Sequence, residues 1–243
     1  MTTQEVAFRD LGQMAYKEAW DYQERLLQQT VGIKTALRNQ ADDHADSNGP
    51  GELKTEHYLL FVEHPPVYTL GKSGDLANVL LSEEEMTSRG IEFYKINRGG
   101  DITFHGPQQL VGYPILDLEK FYTDIGRYLR NIEEVIILTL AEYGIDSGRS
   151  PGETGVWIDA DKKGQERKIC AIGVRSSRWV TMHGFALNVN TDLAYFDNII
   201  PCGIKDKQVT SIEKELGRKA DLEEVKEKVR RNFEKVFEAK LVG

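Results

Sequence analysis

Apolar positions recurring at helical spacing predict the long elements of this chain. Across residues 12–38, Met14, Ala15, Ala19, Tyr22, Leu26 and Leu27 form one stripe, with Glu18, Asp21, Glu24 and Arg25 between them. That stripe predicts an amphipathic helix. Residues 39–51 then turn small, acidic and apolar-poor, which predicts a flexible insertion, since core-forming patterns resume at once. A second stripe runs through Ile125, Leu129, Ile132, Ile136, Leu140 and Tyr143, predicting a helix over 122–143 with Gly144 as its C-cap. A third, over 221–240, aligns Leu222, Val225, Val229, Phe233, Val236 and Phe237. Ser82 and Glu85 have the spacing of a capping box and predict a short helix over 82–89.

Shorter apolar or alternating runs predict strands over 56–64, 67–70, 91–96, 110–118, 155–159, 168–174 and 179–190. Pro65 and Pro66 stop the first of these, Gly71 and Gly74 mark a turn, and residues 161–166 have hairpin-turn chemistry. Helices and strands interleave without strict alternation, and no repeat or long linker divides them. The expectation is an α/β (α+β mixed sheet) fold, one domain over residues 1–243.

Composition narrows the function classes. The chain is 40% hydrophobic and 29% charged, a globular composition, with no run long enough to span a membrane. A net charge of −8 supplies no overall attraction to nucleic acid. With two cysteines, Cys170 and Cys202, a disulfide framework is not expected, and no secretory signal is visible, so a cytoplasmic protein is expected. No Cys-x-x-Cys, His-Glu-x-x-His or calcium-loop pattern occurs, so neither a metal nor another cofactor is expected.

Candidate chemistry centres on residues 97–114, Asn-Arg-Gly-Gly-Asp-Ile-Thr-Phe-His-Gly-Pro-Gln-Gln-Leu-Val-Gly-Tyr-Pro, read as a glycine-rich loop between apolar segments. It lacks the lysine of a phosphate loop after Gly106, and a strand rather than a helix follows, so the dinucleotide fingerprint fails too. A plain hairpin turn is the alternative; Arg98 and His105 argue for ligand contact. Cys202 sits between Pro201 and Gly203, on a turn that can present a thiol, although a lone cysteine is more often an inert small hydrophobe. Its candidate activators are His105, His183 and Lys168. Strand alternation from Lys168 places Lys168, Cys170, Ile172 and Val174 on one face, which makes Cys170 a rival thiol; its flanks, Ile169, Ala171 and Ile172, suit a packed core better. Gly184 and Ala186 leave room beside their strand for a slender apolar ligand, or equally for another strand.

Five segments together resemble the lipoyl(octanoyl) transferase family: Val62-Glu-His-Pro-Pro-Val-Tyr-Thr-Leu-Gly71, Arg98-Gly-Gly-Asp-Ile-Thr-Phe-His-Gly-Pro107, Lys168-Ile-Cys-Ala-Ile-Gly-Val-Arg175, His183-Gly-Phe-Ala-Leu-Asn-Val-Asn190 and Ile200-Pro-Cys-Gly203. The resemblance implies a biotin/lipoate protein ligase-like fold. It implies transfer of an octanoyl group from octanoyl-acyl carrier protein to a lysine of lipoyl domains, those of 2-oxoacid dehydrogenase complexes and of the glycine cleavage H protein, by a monomer. The matching residues would be Cys202 as acyl carrier and Lys168 as the group that lowers its pKa. Substrate contacts would come from Arg98, Gly99, Gly100, Asp101, Ile102, Thr103, Phe104 and His105, from Ala171, Ile172 and Gly173, and from Gly184, Phe185 and Ala186. The N–H groups of Gly203 or of the Gly99–Gly100 turn are candidate oxyanion donors. A local basic patch drawn from Lys162, Lys163, Arg167, Arg175, Arg178, Lys205 and Lys207 would offset the acidic charge when an acidic carrier docks. Residues 39–51 and 161–166 look like insertions relative to short members. An ATP-dependent lipoate or biotin protein ligase, an acyl-binding module and a cysteine hydrolase are the rival readings.

Overall fold

A computed structural model describes residues 3–42, 54–200 and 208–243. Its strands, in chain order, are β1 (Gln4–Gln13), β2 (Tyr58–Glu63), β3 (Val67–Leu70), β4 (Glu92–Lys95), β5 (Ile102–His105) and β6 (Gln109–Ile115). They continue with β7 (Val156–Ile158), β8 (Arg167–Ser177), β9 (Val180–Asn188), β10 (Gln208–Val209) and β11 (Ala239–Val242). The α-helices are α1 (Tyr16–Asp42), α2 (Glu83–Ser88), α3 (Ile125–Ala141), α4 (Ile212–Leu216) and α5 (Leu222–Phe237).

An eight-stranded mixed sheet has the order β10-β8-β9-β6-β2-β1-β11, with β7 pairing β8, and a second sheet has the order β4-β3-β5. The central strands β6 and β9 are buried throughout, as is β2 except at Glu63. That is why their sequences read as continuous apolar runs: helices cover both faces. Ala19, Leu26 and Leu27 of α1 pack on Leu60, Val62, Val111 and Ile115. On the opposite face, α3 and α5 bring Val135, Ile136, Leu140, Val225, Val229 and Phe233 onto Leu59, Phe61, Leu110 and Leu187. Among the described residues no helix is long and apolar enough to cross a membrane.

Local signals operate as read. Ser82 caps α2 in a reciprocal capping box with Glu85. Helix α3 ends with the N–H groups of Gly144 and Ile145 on the carbonyls of Ala141 and Leu140, a Schellman motif. Other boundaries need correction. Gly12 and Gln13 finish β1, so the first helix starts at Tyr16; it also runs on to Asp42, so residues 39–42 are helical, while 43–51 lie outside the described residues. The C-terminal half of α1 is tied to the segment after β6, where Lys34 pairs with Asp117 and Arg38 reaches Glu119 at 2.9 Å. The glycine-rich stretch is not one loop: residues 102–105 form β5 and 109–115 form β6, which leaves turns at 97–101 and 106–108. Strands β1, β10 and β11 and helix α4 were not anticipated; β1 buries only Val6, so its pattern carries little signal.

Replacing Leu140, which is fully buried, with Ala should cost about 2–5 kcal/mol in urea denaturation. The same change at the exposed Leu80 should stay within about 0.5 kcal/mol.

Candidate active site

A cavity of about 610 Å³, a size that suits a small ligand, is lined from the α1 side of the large sheet by Tyr16, Val111, Tyr113 and Ala186 and from the α3 side by Ile125, Leu129, Ile172 and Phe185. Its floor is set by an irregularity in β8. Val156 of β7 pairs with Cys170 and the next residue, Trp157, pairs with Lys168, so Ile169 is an extra residue: a β-bulge. The bulge reverses the alternation. Lys168 falls in phase with Ala171 and Gly173, while Cys170 falls in phase with Ile172 and Val174. This corrects the expectation that Lys168 and Cys170 share a face. Cys170 is fully buried in the core with Ile169 and Val156, burial pushes its thiol pKa up, and it does not line the cavity.

Across the strands, Ala171 pairs with Ala186 and Gly173 with Gly184, so no side chain longer than a methyl group rises from this part of the floor. The glycine at 184 also answers to packing, because a Cβ there would lie 2.1 Å from the carbonyl oxygen of Gly112 and 2.7 Å from Pro114 Cδ. Both readings of that residue therefore apply. Lys168, half-buried, also lines the cavity, its Nζ 4.5 Å over the ring of Trp157.

The 97–101 turn forms the facing wall. Its backbone is tied to the turn after β3 through Gly71 N–H on Asp101 O, Lys72 N–H on Arg98 O and Ser73 N–H on Gly100 O, and to β8 through Gly99 N–H on Val174 O at 2.9 Å. That last bond commits the Gly99 N–H, which removes it as a candidate oxyanion donor. The buried Arg98 guanidinium donates to the Thr69 carbonyl and hydroxyl at 2.7 and 3.0 Å and to Gly99 O at 3.0 Å. Arg98 therefore braces the turn against β3. The Asp101 carboxylate accepts from its neighbour Ile102 N–H and from the Asn78 amide, both at 2.7 Å.

Three buried histidines lie in or beside this wall, and burial keeps all of them neutral. His64 Nδ1 is 2.8 Å from the Met14 carbonyl, so it carries the proton, and Nε2 accepts from Tyr113 OH at 2.7 Å. Burial pushes its pKa down to about 4. His105 stacks on Tyr16, with ring centroids 5.8 Å apart. Its Nδ1 donates to Gln109 Oε1 at 2.9 Å, and burial, with His64 and Arg98 nearby, holds its pKa well below the usual imidazole range. His183, in a left-handed backbone conformation (φ 58°), is pushed down to about 3 by burial and then by Arg98 and Arg175. A hydrogen-bond chain joins this wall to the lysine strand: Gln109 donates to Asn188, Asn188 to the Thr210 carbonyl, and Thr210 N–H to the Lys168 carbonyl.

All the sequence-derived contact residues in 98–105, 171–173 and 184–186 line the cavity except Phe104. Alternation along β5 sends Phe104 the other way, stacked on Tyr195 at 4.5 Å and edge-on to Phe196. Cys202, with Lys205 and Lys207, lies outside the described residues. The described chain reaches Ile200, whose N–H meets the Asn78 carbonyl at 2.9 Å, and resumes at Gln208, which pairs with Arg167; Val209 lines the cavity. Of the expected basic patch, Lys162 and Arg167 pair with Asp159, Arg167 also grips Glu215, and Arg175 pairs with Glu24 at 2.7 Å, so much of its charge is neutralised locally. Sequence reasoning missed Tyr16, Gln109, Tyr113, Ile125, Leu129 and Glu153 as lining residues. Ile125 and Leu129 were visible only as part of a helix stripe, Gln109 and Tyr113 fell inside the 97–114 stretch without being singled out, and nothing local marks Tyr16 or Glu153.

Residues 15–234 match the family described as the lipoyl protein ligase A/B catalytic domain. The chain belongs to that family. An octanoyltransferase of Christiangramia forsetii is 60% identical over 238 residues, covering 98% of this chain and 97% of the relative. An octanoyltransferase of Flavobacterium johnsoniae is also 60% identical over 238 residues, with 98% of each chain covered. Among solved structures, a bi-partite lipoate protein ligase from Thermoplasma acidophilum superposes with a TM-score of 0.66 at 16% identity, covering 99% of this chain and 88% of that one. At that identity the likeness carries the fold alone, and the fold agrees with the expected mixed α/β, lipoate ligase-like architecture.

His57 is likewise pushed down to about 4, chiefly by burial. An unfolded chain protonates such residues near pH ~6.5. Between there and about 4 the unfolded form thus binds more protons than the folded one, so stability must fall as the pH is lowered through that window. The urea midpoint should decline steadily from pH 7 to pH 5.5, above the range of carboxylate titration; a flat profile would contradict the neutral, buried histidines.

Proposed function

We propose that this chain is an octanoyltransferase that takes an octanoyl group from octanoyl-acyl carrier protein onto Cys202 and passes it to a lysine amine of a lipoyl domain. The acceptors would be the lipoyl domains of 2-oxoacid dehydrogenase complexes and the glycine cleavage H protein. The observation that carries the reading is identity of 60% to octanoyltransferases over 98% of the chain. The cavity supports it: a slim floor of Ala171, Ala186, Gly173 and Gly184 suits an unbranched acyl chain, and Lys168 lines the same cavity.

In the first step the Cys202 thiolate attacks the thioester carbonyl, and the carrier's thiolate leaves and takes up a proton. In the second, the acceptor amine attacks the new thioester, an amide forms, the Cys202 thiolate leaves and the amine's proton is released. One thioester is consumed and one amide is made, so no nucleotide is required. Lys168 would favour the thiolate by its charge and relay the proton between thiol and leaving group.

Intact-mass measurement after mixing with octanoyl-acyl carrier protein tests the assignment. An octanoyl adduct should form on the wild type and on Cys170→Ala and be lost in Cys202→Ala. An adduct lost only in Cys170→Ala, or acyl transfer that depends strictly on ATP, would overturn the reading. The acyl floor has its own test. Ala171→Leu should slow transfer from octanoyl carrier by about tenfold or more while sparing butyryl carrier, since an added side chain in a packed site must displace something; equal slowing of both would remove the acyl chain from that floor.

A further inference from the structure

The segment between α3 and β8 is held by a carboxylate that the proposed reaction does not use. Glu133 of α3 is completely buried, and its oxygens take three donors. Arg130 Nη1 at 2.8 Å and Arg149 Nε at 2.9 Å reach Oε2, and the Gly155 N–H reaches Oε1 at 3.1 Å. A buried carboxylate is tolerated when it is paired and hydrogen-bonded in this way. Its partners are informative. Arg149 follows Gly148, which exchanges both backbone hydrogen bonds with Trp157, at 2.8 and 2.9 Å. Trp157 is the ring beneath the Lys168 ammonium. Gly155 has φ 121°, which a side chain would strain, and a Cβ on it would lie 2.6 Å from the Cys170 carbonyl and 3.5 Å from Lys168 Cε. The lysine stem therefore rests on bare backbone at Gly155. Glu133 thus anchors two of the surfaces against which Lys168 lies, Gly155 directly and Trp157 through Arg149 and Gly148.

We propose that Glu133 is a positioning residue for Lys168: by holding Gly155 and the strand pair that carries Trp157, it fixes where the lysine points in the cavity. The inference rests on the reading of Lys168 and Cys202 as the reacting pair. A long flexible ammonium is effective only if directed, and a misplacement of about 1 Å can cost on the order of 100-fold in rate.

The test uses the full chain and two readouts: the pH dependence of Cys202 carbamidomethylation, followed by peptide mass, and steady-state octanoyl transfer. Lys168→Met should shift the alkylation profile toward that of an ordinary thiol. Glu133→Ala should shift it the same way and lower kcat by about tenfold with KM changed less than about twofold, and Glu133→Gln should recover part of both. Added to Lys168→Met, Glu133→Ala should cause no further shift in the profile. If Glu133→Ala does not fold, as judged by circular dichroism, Glu133→Gln carries the comparison. A lower melting temperature with a wild-type alkylation profile and kcat would overturn the proposal, as would a Glu133 effect that persists in full beside Lys168→Met. If Lys168→Met itself leaves the profile unchanged, the Lys168–Cys202 pairing fails, and the positioning role falls with it.

Discussion

The register between β7 and β8 changes by one residue at Ile169, and the arrangement of the site follows from that change. In a regular strand Lys168 and Cys170 would project to the same side, and the lysine would enter the core formed by α3 and α5. The inserted residue turns both Ile169 and Cys170 into that core and leaves Lys168 in phase with Ala171 and Gly173, on the other face of the sheet. Bulges twist and re-aim a strand locally. Here the device separates a thiol that packs from a lysine that lines the cavity, two positions apart in sequence.

Much of this was legible from residue pattern and some of it was not. Helices with a wide apolar stripe and caps of known chemistry, α3 and α5 above all, stand close to where periodicity places them. The strands buried on both faces were visible as apolar runs. What failed was information held between distant segments. Strand β1 shows one buried residue, and its place in the sheet is dictated by β2 and β11. The seating of the C-terminal half of α1 involves ion pairs from Lys34 and Arg38 to Asp117 and Glu119, partners at least 81 residues distant in sequence. Alternation along 168–174 misassigned the faces because the β-bulge is set by β7, and β7 cannot be seen from β8. The motif residues of the cavity came from the family resemblance of the segments that carry them; from residue type alone only Arg98 and His105 stood out, as groups a plain turn does not need. Tyr16 and Gln109 are ordinary choices, and they were overlooked.

The polar wall of the cavity sets neutral histidines beside two charged groups, Arg98 and Asp101, each held by hydrogen bonds. The ring nitrogens of His64 and His105 are oriented by Met14, Tyr113 and Gln109, and the guanidinium of Arg98 is directed at backbone and hydroxyl oxygens. Such a wall can adjoin an apolar chain without presenting it with an unscreened charge. It also keeps the 97–101 turn in one conformation, since most of its polar atoms have fixed partners.

Strands β1 and β11 lie side by side and parallel, with Gln4 opposite Ala239 and Ala7 opposite Val242. During synthesis β1 emerges first and must wait for nearly the whole described chain before this neighbour exists. Contacts so distant in sequence are slow to form, because the loop between them has to be closed before they contribute. The ion pair of Asp10 with Lys226, at 2.8 Å, spans almost the same distance and joins the same late step. Until β11 has been made, one side of β1 is therefore an open template for other strands.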